Sequence, residues 1–517
     1  MTSVDYSLYL VTDSTMIPES STFLKQVEDA INNGATLIQL REKKLSTLEF
    51  IERANKVHEL TKKKGIPLII NDRIDVALAI DAEGVHVGQD DMPASIARKL
   101  LGPNKILGVT CSNEKEAKVV VDEGIADYVG LGTVYKTNTK KDVKDPEGTG
   151  PIGIRRMLQV LSQYQKKNGK KIYSVAIGGI NHSNASKVLY QCSLPDYSLD
   201  GLAVVSCIMA NENAAKATSD LAELIKSKPE WLKNISTSSS EAKLENKIKT
   251  LIETKPLVHH ITNNVVKNFS ANVTLAIGAS PIMSELAKEY EEFASAIPSL
   301  ALLVNLGTPS NDLMDIFKHA IRVYNKYGKH IVFDPVACGA SKERLESSRQ
   351  LLNTGQISVI KGNVGEISSI WKLTSTYQKP SGDEKSLMQG VDSIAELSEE
   401  QIVQIGREVS IDFKVVVVIT GVTNYVIEGL DSLQKVKGGH PLMGYITGTG
   451  CSLGSTIAAF VAAKADGTSK PTVNIFDAAV GAVELYNIAG FKAGEVSKTP
   501  GTFMTNFIDQ LYSCTHI

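Results

Sequence analysis

In the first half of this chain, charged and small polar residues gather at one kind of place, just past the end of a short β-branched run. Gln39, Arg41 and Lys43 alternate in QLREK around the end of the run 37–40, and Asn71-Asp72 close the run 68–71. Asp91 sits in GQDD after 84–87, Thr110 closes 106–110, and the stretch 135–140 (YKTNTK) follows 128–132. Gly178-Gly179 follow 172–177, and Val205-Ser206 end the last run, 202–206. Two carboxylates from neighbouring runs, Asp72 and Asp91, suit one hard cation. Mg²⁺ takes one or two carboxylates and fills its other positions with water and substrate phosphate. Arg41, Lys43 and Lys140 supply positive charge for a polyphosphate, and Gly178-Gly179 lets backbone amides approach a second phosphate. Singly, each ending has a plain explanation: an Asp before a helix is commonly an N-cap, Gly-Gly a turn, Arg-x-Lys a solvated face. Together on one rim they point to a Mg²⁺-dependent enzyme for a pyrophosphate and a phosphate.

The second half carries a different set. In 438–455 (GGHPLMGYITGTGCSLGS), Gly448-Thr449-Gly450-Cys451 precede an apolar helix, so free amides and the helix dipole converge on one point, an anion site. Asp334 ends a strand pattern (VFDPV), Lys361 and Glu366 lie in KGNVGE, and Thr420-Gly421 end another strand. An acidic pair for Mg²⁺, an anion hole and a nearby lysine are the parts of phosphoryl transfer. Cys451, at a helix start, reads either as a base with a lowered pKa or as a residue that positions an alcohol. The spacing of His259, His260 and His440 fits no zinc pattern, and structural roles are expected for them.

These residues need elements to hold them. In the first half, eight β-branched runs (8–12, 37–40, 68–71, 84–87, 106–110, 128–132, 172–177 and 202–206) alternate with amphipathic stretches such as 48–63 and 113–123. Eight βα units in this length predict a (β/α)₈ barrel, whose chemistry sits at the strand ends. In the second half a helix over 241–252 and a turn over 258–264 lead into strands at 301–305, 331–334, 357–360 and 415–420. Helical stretches between them predict a largely parallel, helix-covered α/β domain, with 374–391 as a surface insertion.

The stretch 226–247, with Pro229 and a Ser/Thr run at 236–240, lacks apolar periodicity and reads as the junction of two domains. The expected division is 1–228, a linker over 229–243, and 244–517. At 517 residues the chain is too long for one core. A net charge of −2 with no basic excess excludes a nucleic-acid binder. The six cysteines are scattered, as expected of a reducing compartment. The first residues resemble neither a signal nor a transit peptide, and no run reaches the ~20 apolar residues of a membrane span. A cytoplasmic protein is expected, with no membrane partner.

Seven motifs in the first half, QLREK, IINDR, GVHVGQDD, GVTCSN, GLGTVYKTNTKKD, VAIGGI and AVVSCI, resemble in order those of thiamine-phosphate synthase, over about 8–225. The resemblance implies that Asp72 and Asp91 bind Mg²⁺. It places Gln39, Arg41, Lys43, Asn71, Thr110 and Lys140 at an aminopyrimidine pyrophosphate. Thr137, Thr139, Gly179, Val205 and Ser206 fall to a thiazole phosphate. Thr110 stands where Ser is common, and Tyr135-Lys136 replace an aromatic-Pro pair.

In the second half HHITNNVVKNFSANVTLAIGASPIM, NLGT, DPVACGA, KGNVGEI, ITG and GHPLMGYITGTGC resemble hydroxyethylthiazole kinase, a ribokinase-like family, over about 245–515. This implies Asn263, Val265, Met283 and Gly448 at the thiazole, Lys361 and Thr420 at ATP, and Asp334 and Glu366 around Mg²⁺. Cys451 occupies the place of a catalytic Asp in sugar-kinase relatives. Asn424 departs from an Asp common after ITG-x-x. Sites of this kinase family lie between subunits, so a homo-oligomer is expected.

Together the two resemblances imply consecutive steps with small-molecule substrates: ATP phosphorylates hydroxyethylthiazole, and the product joins the aminopyrimidine to form thiamine phosphate. Two rivals stand beside this. The kinase half would act on the pyrimidine alcohol, or one half would be a non-catalytic oligomerisation or regulatory domain.

Overall fold

The computed structural model describes residues 4–137, 139, 147–236, 243–377, 388–389, 392–393, 397–463 and 473–516. The chain divides into two compact units, Met1–Lys228 and Pro229–Ile517.

The first unit is a closed barrel of eight parallel strands: β1 Leu8–Val11, β2 Leu37–Leu40, β3 Leu68–Asn71, β4 Gly84–Val87, β5 Ile106–Cys111, β6 Tyr128–Gly132, β7 Tyr173–Ile177 and β8 Gly201–Val204. Every expected run is a strand. The eighth is displaced, because Ser206 opens a short helix, Ser206–Met209, instead of ending a strand. β8 closes on β1 with Leu10 opposite Val204. Side chains pointing outward, such as Leu10, Ile38 and Ile70, pack beneath the surrounding helices. Those pointing inward include Tyr6, Tyr9, Tyr128 and Ile69. The helices between strands carry their own start and stop signals. Thr47–Lys64 opens on a Ser46/Glu49 capping box and stops at Gly65 in the left-handed region, with three lysines in its last turn. Asn113 caps the helix Glu114–Glu123 through the amide of Glu116.

The second unit has an eight-stranded sheet with an edge strand at Ser280–Ile282. It continues inward through Leu257–Ile261, Leu300–Asn305, His330–Asp334, Val359–Asn363 and Val416–Thr420, all parallel. Thr423–Glu428 and Ser432–Lys437 complete it as an antiparallel hairpin. The helix Thr449–Ala462 is apolar on nearly every side and is buried accordingly.

Two expectations change here. The stretch 258–264 is not a turn: Leu257–Ile261 is an interior strand of the sheet. The two histidines disguise it, because each satisfies its ring nitrogens internally and so tolerates burial. His259 bonds Tyr324 Oη at 2.7 Å and the Ser284 carbonyl at 2.8 Å. The start of the interdomain stretch is also ordered. Glu230–Asn234 forms a 3-10 turn that buries Trp231, and Ile235 bridges to Val473. One large ring supplies the burial that the Ser/Thr run lacks. Residues 237–242 and most of 374–391 lie outside the described residues. No helix among the described residues is long and apolar enough to cross a membrane.

His260 makes the second unit acid-sensitive. Nδ1 donates to the Val258 carbonyl and Nε2 lies 3.0 Å from Ser455 Oγ. Burial drives the imidazole pKa down from 6.5 to about 4. A depressed base takes up its proton more readily in the unfolded chain. The stabilising effect is therefore complete above about pH 6.5 and fades as the pH falls toward 4. The loss should reach roughly 3 kcal/mol, at 1.36 kcal/mol per pKa unit. Thermal unfolding across this range should show the fall in native protein and a shallower one in His260→Gln.

Candidate active sites

The C-terminal ends of the barrel strands open into a cavity of about 750 Å³. Gln39, Arg41, Lys43, Asn71, Asp72, Asp91, Thr110, Thr137, Thr139, Gly179, Val205 and Ser206 all line it. Lys140 lies outside the described residues. Local conformation explains how the strands deliver these groups. Asp72 has φ 61°, turning its carboxylate toward the neighbouring strand end while its amide stays bonded to the His86 carbonyl at 2.9 Å. Lys43 pairs with Asp72, and the amide of Gly88 donates to Asp91 Oδ2 at 2.7 Å. Arg41 lies 3.8 Å from Asp13, which was not singled out in sequence.

Gly178 and Gly179 have φ 100° and 69°, and a Cβ on Gly179 would meet the Lys136 carbonyl at 2.8 Å. Only glycine permits consecutive left-handed residues under so close a loop. The exchange of a proline for Lys136 does not free the loop before it. The amide of Tyr135 donates to the Gly178 carbonyl at 3.1 Å, and Val134 to Ile177 at 2.9 Å.

Asp72 and Asp91 interact electrostatically across neighbouring strand ends. Burial, then the Asp91 carboxylate, raises the pKa of Asp72 against the pull of Lys43. Burial also pushes Asp91 upward, but Asp72, the Gly88 amide and Lys43 together bring it below the usual range. Two carboxylates that push each other's titration apart in this way are poised to accept a divalent charge between them.

In the second unit the strand ends meet the start of the helix Thr449–Ala462. Lys361 Nζ donates to Asp334 Oδ2 at 2.8 Å and to the Gly450 carbonyl at 2.9 Å. Asn305 Nδ2 donates to the same carboxylate oxygen at 3.1 Å, and Asn263 Nδ2 donates to Asn305 Oδ1 at 3.0 Å. Asp334 Oδ1 is buried with no partner among the described residues. Glu366 accepts from the amides of Ala337 and Asn363, and burial followed by the charge of Asp334 raises its pKa to about 7. Gly448 caps the helix with φ 101°, packed against Phe269 and Val266. Val265 is 71% exposed and Met283 half-buried, while Thr420 ends its strand. Asn424 faces inward: it accepts from the Gly421 amide at 3.2 Å and donates to Asn487, which fixes the turn after Thr420.

The hydroxyethylthiazole kinase family model matches residues 248–516, and that of thiamine monophosphate synthase matches residues 8–208. The thiamine biosynthetic bifunctional enzyme of Saccharomyces cerevisiae is 41% identical, covering 99% of this chain and 96% of its own length. The chain belongs to the thiamine biosynthetic bifunctional enzymes. A probable member from Schizosaccharomyces pombe is 40% identical over 98% of this chain and 95% of its own. The thiamine-phosphate synthase of Clostridium novyi is 45% identical, and its match spans 43% of this chain and 99% of that protein. This bifunctional transferase therefore carries a thiamine-phosphate synthase unit ahead of a hydroxyethylthiazole kinase unit.

The synthase unit's Asp72–Asp91 pair fits a Mg²⁺ ion, since two carboxylates close enough to shift each other's titration mark a place for positive charge. Among the described residues no cluster of three or more His, Cys, Asp or Glu forms a metal cage, and Mg²⁺ held between protein and phosphate needs none. In the kinase unit the orphaned Asp334 Oδ1 offers one acceptor, while both oxygens of Glu366 already hold backbone amides. The Cys451 thiol is pushed up to about 11, first by burial and then by the Asp334 charge, with Lys361 opposing. A thiol protonated at neutral pH suits positioning an alcohol better than acting as its base. Sequence reading missed Tyr9, His86 and Thr133, which line the synthase cavity; the His in GVHVGQDD, one strand from Asp72, was the available signal.

Proposed function

We propose that residues 1–228 and 244–517, joined through 229–243, carry out consecutive reactions. In the kinase unit, ATP donates its γ-phosphoryl group to the hydroxyl of 4-methyl-5-(2-hydroxyethyl)thiazole. Asn263, Val265, Met283 and Gly448 receive the thiazole, Lys361 and Thr420 serve the nucleotide, and Cys451 positions the alcohol. Asp334 and Glu366 lie where Mg²⁺ would accompany the phosphates. In the synthase unit, Arg41, Lys43 and Lys140 hold the pyrophosphate of 4-amino-2-methyl-5-pyrimidinylmethyl diphosphate. Gln39, Asn71 and Thr110 orient its ring. The C–O bond to pyrophosphate breaks, and the thiazole nitrogen bonds to the freed methylene carbon. Thr137, Thr139, Gly179, Val205 and Ser206 hold the thiazole phosphate during that attack. Mg²⁺ on Asp72 and Asp91 would neutralise charge on the leaving pyrophosphate. The observation that supports this most is that one cavity gathers residues from all eight strand ends, among them Arg41, Lys43, the Gly178-Gly179 turn and the Asp72–Asp91 pair. The exposure of Val265 beside the kinase site favours an oligomer whose neighbouring subunit covers the thiazole, and our reading is of a cytoplasmic enzyme.

An omission assay followed by mass spectrometry tests the whole scheme. Thiamine phosphate should require the thiazole, Mg-ATP and the aminopyrimidine diphosphate, and thiazole phosphate should accumulate when the pyrimidine is left out. ATP consumption only with a pyrimidine alcohol would reassign the kinase unit. No product from preformed thiazole phosphate would reduce the barrel to a scaffold.

A further inference from the structure

The floor of the synthase cavity is a continuous line of hydrogen bonds crossing the barrel. Gln39 Nε2 donates to Tyr9 Oη at 2.8 Å, and Tyr9 Oη lies 2.7 Å from Tyr128 Oη. Tyr128 Oη lies 2.9 Å from His86 Nδ1, and His86 Nε2 lies 2.9 Å from Thr110 Oγ1. Gln39, Tyr9, His86 and Thr110 face the cavity, while Tyr128 is fully buried beneath them. Two glycines make the crossing possible. His86, Gly108 and Tyr128 share one register level across β4, β5 and β6. A Cβ on Gly108 would stand 2.2 Å from Tyr128 Cζ, so the missing side chain is what lets the phenol reach the imidazole. At Gly130 a Cβ would approach His86 Cε1 to 3.2 Å.

The line has a direction. An amide nitrogen only donates, so Tyr9 Oη accepts from Gln39 and has its own proton to give. If Tyr9 gives it to Tyr128, Tyr128 gives its proton to His86 Nδ1. The imidazole is then neutral with hydrogen on Nε2, which donates to Thr110 Oγ1. Thr110 is left with its own O–H free to point into the cavity. Reversed, Tyr9 would accept from both Gln39 and Tyr128, and its buried proton would lack the acceptor that this line provides. That arrangement is costly. Burial raises the pKa of both phenols, so each keeps the proton the line needs.

We propose that Tyr128 and His86 are positioning residues of the synthase unit. With Tyr9 they form a one-way relay from Gln39 that presents the Thr110 hydroxyl as a hydrogen-bond donor to the substrate. The same relay commits the Gln39 amide nitrogen to the floor and leaves its carbonyl oxygen to accept from the substrate. The acceptor–donor pair selects a heteroaromatic ring that shows an amino group beside a ring nitrogen. The proposal rests on the reading of this cavity as the synthase site.

A double-mutant cycle tests it in the full-length protein, with thiamine phosphate formation from preformed thiazole phosphate as the readout. Tyr128→Phe keeps the ring and removes only the relay's middle hydroxyl; Thr110→Val removes its end. Each should lower kcat/KM about tenfold, the scale of one charge-neutral hydrogen bond to substrate. The double variant should be no worse than Thr110→Val alone, because Tyr128 acts through Thr110. A structural role for Tyr128 would instead multiply the two losses, and that result, or an unchanged Tyr128→Phe, overturns the relay. Kinase turnover and the melting curve of each variant report folding. If Tyr128→Phe fails to fold, Tyr9→Phe interrupts the same line and carries the same expectation. A native protein that makes no thiamine phosphate would refute the synthase reading itself, whereas multiplicative losses in an active protein refute only the relay.

Discussion

Asp72→Asn should lower the formation of thiamine phosphate from preformed thiazole phosphate by about 10³-fold, the scale of losing preorganised charge stabilisation at a leaving group. Phosphorylation of hydroxyethylthiazole by the same molecule should be untouched. Asparagine is the informative replacement because residue 72 has φ 61°, a region that Asn enters readily and most residues do not. Alanine would mix backbone strain with loss of charge. The substitution keeps the fold and the size of the side chain, and it deprives Lys43 of its counter-charge and Asp91 of its partner. Added Mg²⁺ should recover part of the rate, with the midpoint of the Mg²⁺ titration moved to higher concentration. A full rate at unchanged Mg²⁺ dependence would show that Asp72 is only a backbone corner and that the cation, if needed, sits elsewhere.

How much of this was legible in the sequence follows from the range of the forces involved. The barrel could be read because a β-branched run flanked by amphipathic helices leaves a local signature, and the (β/α)₈ rim could then be searched one strand end at a time. Boundaries slipped where the deciding contact was distant: Ser206 begins a helix although AVVSCI looks extended throughout. The strand Leu257–Ile261 was hidden because nothing local says that His259 and His260 will find Tyr324, Ser284 and Ser455. Trp231 gave too little apolar content for its neighbours to read as ordered, yet one ring sufficed to seat them.

The sites divide in the same way. Anion-binding endings are visible because charge at a strand end has few other uses in quantity. The floor of the synthase cavity was not visible, since Tyr9, Tyr128 and Gly108 look like ordinary barrel filling until the register sets them side by side. Cys451 is the reverse case. Its place at a helix start argues for a lowered pKa, whereas burial and the charge of Asp334 raise it. Local position and tertiary surroundings act in opposite senses on one thiol, and only the second depends on residues more than a hundred positions away.

The Asp334–Lys361 pair permits stability and activity to be separated in the kinase unit. Side-chain exposure is 0% for the carboxylate and 4% for the ammonium. Burial opposes charge on Lys361, and the carboxylate of Asp334 overcomes it, holding the ammonium above its ordinary pKa. Asp334→Asn keeps the acceptor for Asn305 and strands the lysine's charge, which should destabilise the unit by about 3–5 kcal/mol. Lys361→Met strands the carboxylate at a similar cost. Combining them removes both charges, so the double variant should melt well above either single one, because no unpaired buried charge is left. Kinase turnover should stay lost in all three, while the barrel continues to make thiamine phosphate from preformed thiazole phosphate. If the pair served folding alone, turnover would return with the melting temperature in the double variant. Recovery of stability without recovery of phosphoryl transfer is the outcome that ties the Asp334–Lys361 pair to the chemistry, because a stranded charge explains instability and only a missing functional group explains an inactive fold.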